Sequence, residues 1–164
     1  MQIVQKITPY LWFDNQAEEA INLYVSIFNH SKIVSETRFG EGGPFPAGTL
    51  MSATFELEGQ QFMALNGGPN FKFNEAISLF VNCETQDEVD ELWTKLTANG
   101  GEEGRCGWLK DKFGVSWQIV PASLGEMMND KDKEKSQRAM QAMFQMNKLD
   151  INLIKAAFEG NATT

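Results

Sequence analysis

The sequence predicts an α+β protein in which one βαβββ unit occurs twice and is followed by helices. A strand, a helix and a β-hairpin follow one another in the same order at 7–66 and again at 76–121. After residue 122, helical spacing replaces the alternation that is typical of strands. We therefore expect units at about 1–70 and 71–122, which together form one domain ending at residue 122, and a helical extension at 123–164.

The first unit is predicted to begin with a strand at 3–13, in which Pro9 indicates an edge position or a bulge. A helix at 16–28 follows, because its apolar residues recur at helical spacing along one stripe. Asp14 or Asn15 is expected to cap this helix, since a short polar side chain at that position can accept a hydrogen bond from the first turn.

The rest of the first unit reads as a strand, a long loop and a hairpin. Residues 32–39 alternate as a strand does, and 40–48 hold four glycines and two prolines, which excludes regular structure. A hairpin is predicted at 50–66, with its turn at Glu58 and Gly59. The loop is interpreted as a crossover between strands.

The second unit repeats this order in fewer residues. A strand is predicted at 76–83, and Thr85 with Glu88 forms a capping box for a helix that runs to about Ala98. The stretch at 106–121 then predicts two short strands joined by a tight turn at 110–114. Its last strand has an apolar face and a face of small and polar residues, formed respectively by Val115, Trp117 and Ile119 and by Ser116, Gln118 and Val120.

The spacing between equivalent positions shows where the two units differ. Phe13 corresponds to Cys83, 70 positions later, whereas Gly59 corresponds to Gly114, only 55 positions later. The second unit has therefore lost about 15 residues between these points. We expect its second strand to be short or absent.

Composition excludes several classes of partner. The chain has 164 residues and a formal net charge of −8, which argues against nucleic acid and against an anionic membrane surface. No stretch is long and apolar enough to span a bilayer, and the first residues read as a strand and not as a signal peptide. Cys83 and Cys106 are too few for a disulfide framework, so a reduced, cytoplasmic location is expected. Cys106, next to Arg105, is interpreted as an inert strand thiol.

The extension is predicted to contain a short helix at 123–128, a charged exposed stretch at 130–135, an amphipathic helix at 136–147 and a last helix at 151–158. The amphipathic helix places Ala139, Met140, Met143 and Phe144 along one face. Such a face is typical of a core or of a contact between subunits.

Three segments carry a resemblance to a known family: ITPYLWFDNQAEEAINLYVSIF at 7–28, NGGPNFKFNEAISLFVNC at 66–83 and CGWLKDKFGVSWQIVP at 106–121. They resemble the PhnB-like branch of the vicinal oxygen chelate superfamily, also called glyoxalase/bleomycin-resistance/dioxygenase. The resemblance implies a curved eight-stranded cup with helices on its outer face, usually in a homodimer. Members of this branch often bear the label demethylubiquinone methyltransferase.

Metal-using members of the superfamily hold the ion inside the cup. The resemblance places their ligand positions on Thr8, Ala64, Ala76 and Gln118. Alanine has no donor atom, and divalent transition metals prefer imidazole, carboxylate or thiolate. The single histidine, His30, is predicted at a helix end. We therefore expect no metal and no cofactor in the cup, which argues against glyoxalase and dioxygenase mechanisms.

The face that would line the cup is rich in aromatic rings, amides and hydroxyls. Its candidate ligand-binding residues are Tyr10, Trp12, Phe62, Asn66, Ser78, Phe80, Trp108, Ser116 and Gln118. This composition favours a small aromatic or amphipathic ligand. Three alternatives stay open: the rings simply fill the curved sheet; the protein is an enzyme, either a group-transfer enzyme or a metal-free lyase, with Gln118 and Asn66 orienting the substrate; or the extension serves as an interaction surface.

Overall fold

The computed structural model describes residues 4–161, so the predicted start of the first strand at Ile3 lies outside the described residues. The chain divides into two compact units, Met1–Phe73 and Asn74–Thr164. Each unit contains one four-stranded mixed sheet with helices, which confirms the predicted α+β class.

The first unit has the predicted βαβββ order. Its strands lie in the order β1-β4-β3-β2, with β1 parallel to β4 and the other pairs antiparallel. The elements are β1 (Tyr10–Phe13), α1 (Ala17–Ile27), β2 (Lys32–Arg38), β3 (Leu50–Leu57) and β4 (Gln60–Asn66).

Helix α1 covers one face of the first sheet and leaves the other face open. It packs on β3 and β4 through buried Ala20, Ile21 and Tyr24. These side chains recur at the spacing of one helical stripe, so a single face of the helix supplies the apolar contact. On the opposite, open face, Tyr10 remains 48% exposed.

The second unit repeats the same strand order. Its sheet runs β5-β8-β7-β6, with β5 parallel to β8. The second strand, β6, has only two residues, which confirms the predicted shortening. The elements are β5 (Ser78–Cys83), α2 (Gln86–Thr97), a 3₁₀ turn (Ala98–Gly100), β6 (Glu102–Glu103), β7 (Trp108–Lys110) and β8 (Ser116–Pro121).

Helix α2 is capped as predicted. The Thr85 hydroxyl accepts a hydrogen bond from the Glu88 amide at 3.2 Å, and the Glu88 carboxylate accepts one from the Glu84 amide at 2.8 Å. The first bond satisfies an amide of the first helical turn, and the second ties the residue before the N-cap to the helix. The helix packs on β8 and β7 through buried residues that include Leu92 and Trp93.

Three predicted strand limits were wrong. The first strand, predicted at 3–13, begins only at Tyr10, and residues 4–9 form no strand. Ala76 lies in a turn before β5, where its amide donates to the Asn74 side chain at 2.9 Å. Cys106 precedes β7 and has a left-handed backbone with φ 59°, so it belongs to a turn and not to a strand. The left-handed conformation is uncommon for a residue with a side chain and ends the extended pattern there.

The extension forms three helices that belong to the second unit: α3 (Ala122–Met128), α4 (Lys133–Phe144) and α5 (Ile151–Glu159). The predicted amphipathic helix begins earlier than expected, because Asp132 caps it by accepting bonds from the Glu134 and Lys135 amides. Buried Leu124, Ala139 and Ile154 form one cluster with Val120 of β8.

The methionine face of the extension contributes to this cluster, with Met128, Met143 and Met146 packed against it. Of the two predicted roles for that face, the structure thus shows a core role within the unit. Within residues 4–161, no helix combines the length and apolarity required to traverse a bilayer.

Candidate functional site

A cavity of about 520 Å³ lies in the second unit, on the face of the sheet opposite α2. Its floor consists of strand residues, and its walls come from the turn before β7 and from α3 and α4. The lining residues are Phe80, Asn82, Cys106, Trp108, Gln118, Val120, Pro121, Ala122, Leu124, Gly125, Met128, Met143 and Phe144.

The strand register explains why three of these side chains meet. Phe80 of β5 pairs with Gln118 of β8, and Gln118 pairs in turn with Trp108 of β7. Residues directly opposite one another in neighbouring strands point to the same face. One amide therefore lies between two aromatic side chains across the floor of the cavity.

The Gln118 side chain is oriented by its neighbour in the parallel strand. Its Nε2 donates a hydrogen bond to the Ser78 hydroxyl at 2.9 Å. Ser116 lies on the same face, paired with Ser78 and Lys110, and its buried hydroxyl has no hydrogen-bond partner among the described residues. A buried hydroxyl without a partner carries an energetic cost.

An ion pair lies beside this polar row. Lys110 pairs with Glu75, and their hydrogen bond raises the pKa of Lys110 and lowers the pKa of Glu75. Neither residue lines the cavity, and neither does any other Asp, Glu, Lys, Arg or His of residues 4–161. The site thus offers aromatic rings, thioethers and amides but no countercharge for an ionic ligand.

Five of the nine predicted site residues lie on this open face. Phe80, Trp108 and Gln118 line the cavity, Ser78 binds Gln118, and Ser116 belongs to the adjacent row. Their alternation was predicted correctly because β8 has a clear apolar side, with Trp117 and Ile119 almost fully buried.

Tyr10 and Trp12 lie on the open face of the first unit, also as predicted from alternation. Trp12 Nε1 donates to the Gly68 carbonyl at 3.0 Å, and its ring packs edge-on against Phe71 at a centroid distance of 5.0 Å. A Cβ at Gly67 would lie 2.3 Å from the Trp12 ring, so only glycine fits there. Trp12 thus holds the loop after β4 in place.

The predicted placement of Phe62 and Asn66 on the open face was wrong. Phe62 is 6% exposed and stacks on Phe55, with a centroid distance of 5.6 Å, on the face that α1 covers. The register pairs Tyr10 with Met63 and thereby sends Phe62 to the opposite side. The segment FMAL at 62–65 is apolar on both faces, so alternation does not indicate which residues of β4 face α1.

Asn66 instead links α1 to the sheet. Its Oδ1 accepts a hydrogen bond from the Ala17 amide at 2.9 Å, and its Nδ2 donates to the Leu50 carbonyl at 2.9 Å. The predicted cap at Asp14 or Asn15 was wrong, since Gln16 is the N-cap residue and makes no side-chain capping bond. A strand residue far along the chain performs that function.

Comparison with known proteins identifies the family. The family model for 3-demethylubiquinone-9 3-methyltransferase matches residues 5–120. A PhnB protein from Bacillus cereus, whose name carries the same methyltransferase label, is 45% identical, and the match covers 72% of this chain and all of that chain, with a TM-score of 0.68. The chain belongs to the PhnB-like family.

Two further structures share the fold of this PhnB-like chain. Protein PA1353 from Pseudomonas aeruginosa is 23% identical, with a TM-score of 0.60. The match covers 72% of this chain and 98% of PA1353. The fosfomycin resistance protein FosX from Listeria monocytogenes is 17% identical, with a TM-score of 0.55. The match covers 79% of this chain and 100% of FosX. At these identities the two similarities show a shared fold. No curated protein sequence matches it.

Of the four residues on which the resemblance places metal ligands, only Thr8 and Gln118 carry a side-chain donor. Ala64 was expected in the cup but is fully buried on the face that α1 covers, and Ala76 lies in a turn. Thr8 and Gln118 offer only neutral oxygen or amide groups. Among residues 4–161 there is no group of three or more His, Cys, Asp or Glu side chains that could hold a metal.

Sequence reasoning missed the walls of the cavity. Met143 and Phe144 were assigned to a core or contact face, and Cys106 to a strand, because contacts between a helix and a distant sheet leave no local pattern. Of the two thiols, Cys83 is buried beside β8, and burial raises its pKa to about 12, so it stays protonated. Cys106 lies in the cavity wall.

Proposed function

We propose that this PhnB-like protein binds a small, uncharged and predominantly apolar molecule in the cavity of its second unit. The observation that supports this most directly is the lining: two aromatic strand residues flank Gln118, thioethers and Phe144 lie across from them, and ionisable carboxylate, ammonium, guanidinium and imidazole groups are absent from the lining within residues 4–161. Such a lining is typical of small-molecule sites, which are mostly apolar with a few orienting polar groups.

The absence of countercharges favours an uncharged ligand for a simple physical reason. An ion that leaves water must recover its lost hydration from charged or strongly polar partners. An uncharged ring loses little hydration and gains about 25 cal/mol for each Å² of apolar surface removed from water. Gln118 can then orient one polar substituent, because Ser78 holds its amide in place.

A pair of dyes tests the proposal. N-phenylnaphthylamine is uncharged, and anilinonaphthalene sulfonate has the same ring system with an added anionic group. We expect the uncharged dye to show saturable fluorescence enhancement and the sulfonate to bind at least about tenfold more weakly, because its charge would be desolvated without a partner. Titrations at about 1 M salt, where the Debye length is about 3 Å, remove the general repulsion by the net charge. Equal affinities, or a lack of saturation by the uncharged dye, would contradict the proposal.

The family name supports a second candidate function, methyl transfer in the manner of a 3-demethylubiquinone-9 3-methyltransferase. The usual methyl donor, adenosylmethionine, carries a sulfonium, an ammonium and a carboxylate, and the cavity has no countercharge for any of them. We therefore rank binding of an uncharged molecule first. Calorimetric titration with adenosylmethionine distinguishes the two candidates, since saturable heat would favour transfer.

We further propose that the protein assembles as a homodimer, as its family resemblance implies. The half-exposed Tyr10 on the open face of the first sheet supports an additional contact there, because large aromatic side chains are enriched at interfaces. Sedimentation velocity at several protein concentrations measures the mass in solution. A monomer at all concentrations would contradict this proposal without affecting the ligand cavity.

A further inference from the structure

We infer that the C-terminal extension forms the wall of the cavity that determines which uncharged ligand fits, with Met143 and Phe144 of α4 as the selecting side chains. This inference rests on the proposed binding function and adds the residues that set its specificity. The family match ends at residue 120, so the helices of the extension lie outside the part that the family model describes.

The cavity is divided between the matched region and the extension. Phe80, Trp108 and Gln118 come from strands within the matched region. Met128 of α3 and Met143 and Phe144 of α4 come from the extension. A ligand that lies on the sheet floor must therefore contact residues that the matched region does not contain.

The extension is attached to the second unit at defined points. Gln86 of α2 donates to the Leu149 carbonyl at 2.9 Å and accepts from the Ile151 amide at 2.8 Å. The side chain of Leu149 is fully buried. These contacts hold the segment between α4 and α5, and a wall that is held in this way can discriminate between ligand shapes.

A second attachment joins the extension to the cavity wall itself. The amides of Cys106 and Gly107 donate to the carbonyls of Met146 and Asn147, both at 2.8 Å. Gly107 has φ +84°, and a Cβ there would lie 2.8 Å from the Ile119 carbonyl oxygen, so the backbone approaches closely only because this residue is glycine. The turn that carries Cys106 and the end of α4 thus form one continuous surface.

The chemistry of this wall suits an aromatic ligand. Thioether sulfurs make favourable contacts with aromatic rings, and the flexible methionine side chain adapts to their shape. Phe144 is 49% exposed although it lines the cavity, and Phe80 on the floor is 54% exposed. Both rings therefore stand where the cavity meets solvent, and a bound ring between them would bury apolar surface that is exposed without it.

The test uses the full chain, two uncharged dyes of different size, N-phenylnaphthylamine and the larger Nile red, and matched substitutions. Met143→Ala and Phe144→Ala change the proposed wall. Met140→Ala, on the same helix, and Phe158→Ala, on α5, remove the same side chains at positions that do not line the cavity. Thermal melting of each variant identifies any that fail to fold.

We expect Met143→Ala and Phe144→Ala each to lower the affinity for the smaller dye about three- to tenfold, because apolar contact is lost. The ratio of the two affinities should shift toward the larger dye, since the cavity becomes wider. The control variants should leave both affinities and their ratio unchanged. A shift in the ratio of the two affinities is the decisive readout, because general destabilisation would lower the affinity for both dyes alike.

The inference is wrong if the wall variants behave like their controls while Trp108→Ala on the floor still weakens binding. That outcome would leave the proposed binding function intact. A failure of the unsubstituted protein to bind either dye saturably would instead overturn the proposed function and this inference together.

Discussion

The two units share one strand order but hold their helices in different ways. In the first unit, Asn66 of β4 reaches the first turn of α1 from a distant part of the chain. In the second, Thr85 and Glu88 form a capping box within the sequence of α2 itself. Strand order and apolar faces thus define the common fold, whereas the polar contacts that satisfy helix ends can be either local or long-range.

The two units also stabilise their hairpin turns by different contacts. The turn between β3 and β4 uses Glu58 and Gly59, both with positive φ, and requires no side chain from the interior. The turn between β7 and β8 is built around the carboxylate of Asp111, which is only 3% exposed. It accepts hydrogen bonds from the Phe113 and Val115 amides and from the Trp117 indole at 2.9–3.0 Å.

The open faces differ most in consequence. In the second unit, the extension packs over Val120 and forms one wall of a cavity above Gln118 and Trp108. No part of the extension belongs to the first unit, whose open face keeps Tyr10 half-exposed. One repeated topology therefore yields a candidate binding site only where additional helices supply a second wall.

The largest expected effect comes from the buried turn of the second hairpin. Asp111→Ala should lower the free energy of unfolding by about 3 kcal/mol or more, since three donors, two of them near the core, lose a charged acceptor. Urea denaturation measures this loss. Asp14→Ala, which removes an exposed carboxylate in the first unit, serves as the control and should change stability by less than about 0.5 kcal/mol. Similar losses for both variants would contradict the role assigned to Asp111.

The next effect concerns the long-range cap of the first unit. Asn66→Ala should lower stability by about 2 kcal/mol, because it leaves the Ala17 amide and the Leu50 carbonyl without their buried partner. Asn70→Ala, at an exposed position of the following turn, is the matched control. Hydrogen exchange at the Ala17 amide should accelerate in Asn66→Ala alone, and unchanged protection there would show that the cap is dispensable.

The local cap of the second unit should contribute less. Thr85→Ala removes one exposed capping bond and should cost about 1 kcal/mol, whereas Thr85→Ser keeps the hydroxyl and should retain most of the stability. Chemical denaturation of both variants, beside Asn66→Ala, compares the two kinds of cap directly. If Thr85→Ala proved as costly as Asn66→Ala, the difference between local and buried caps would not hold.

Most of the fold could be predicted because its signals are local. The apolar side of β8, the capping box at Thr85 and the turn at Glu58 and Gly59 each lie within a few residues. The residues missing before Gly114, relative to Gly59, predicted a second strand that is short or absent, and β6 has two residues. Such features can be found from one sequence without knowledge of any distant contact.

The site was less predictable, for two physical reasons. β4 is apolar on both faces, so the sequence contains no signal for the side on which Phe62, Ala64 and Asn66 lie; the pairing with β1 decides it. The wall formed by Met143 and Phe144 depends on where a helix docks, which the helical period of α4 does not specify. Gln118, Phe80 and Trp108 were found because their strands alternate clearly or flank a strand that does.

The smallest expected effect concerns the ion pair that joins the extension to α2. Lys148 Nζ lies 2.7 Å from an Asp90 oxygen, and both side chains are about half exposed, so Lys148→Ala should cost about 0.5 kcal/mol or less. The Lys148 hydrogen bond, followed by that of Gln86, holds the pKa of Asp90 below its ordinary value. Because the folded-state pKa is the lower one, the pair stabilises the fold at neutral pH. This contribution is lost as the pH falls below the ordinary Asp range toward the lowered pKa.

NMR titration of the Asp90 carboxyl should show its pKa rising in Lys148→Ala and not in Lys155→Ala, an exposed control on α5. An unchanged Asp90 titration would mean that the attachment depends on Gln86 and Leu149 alone.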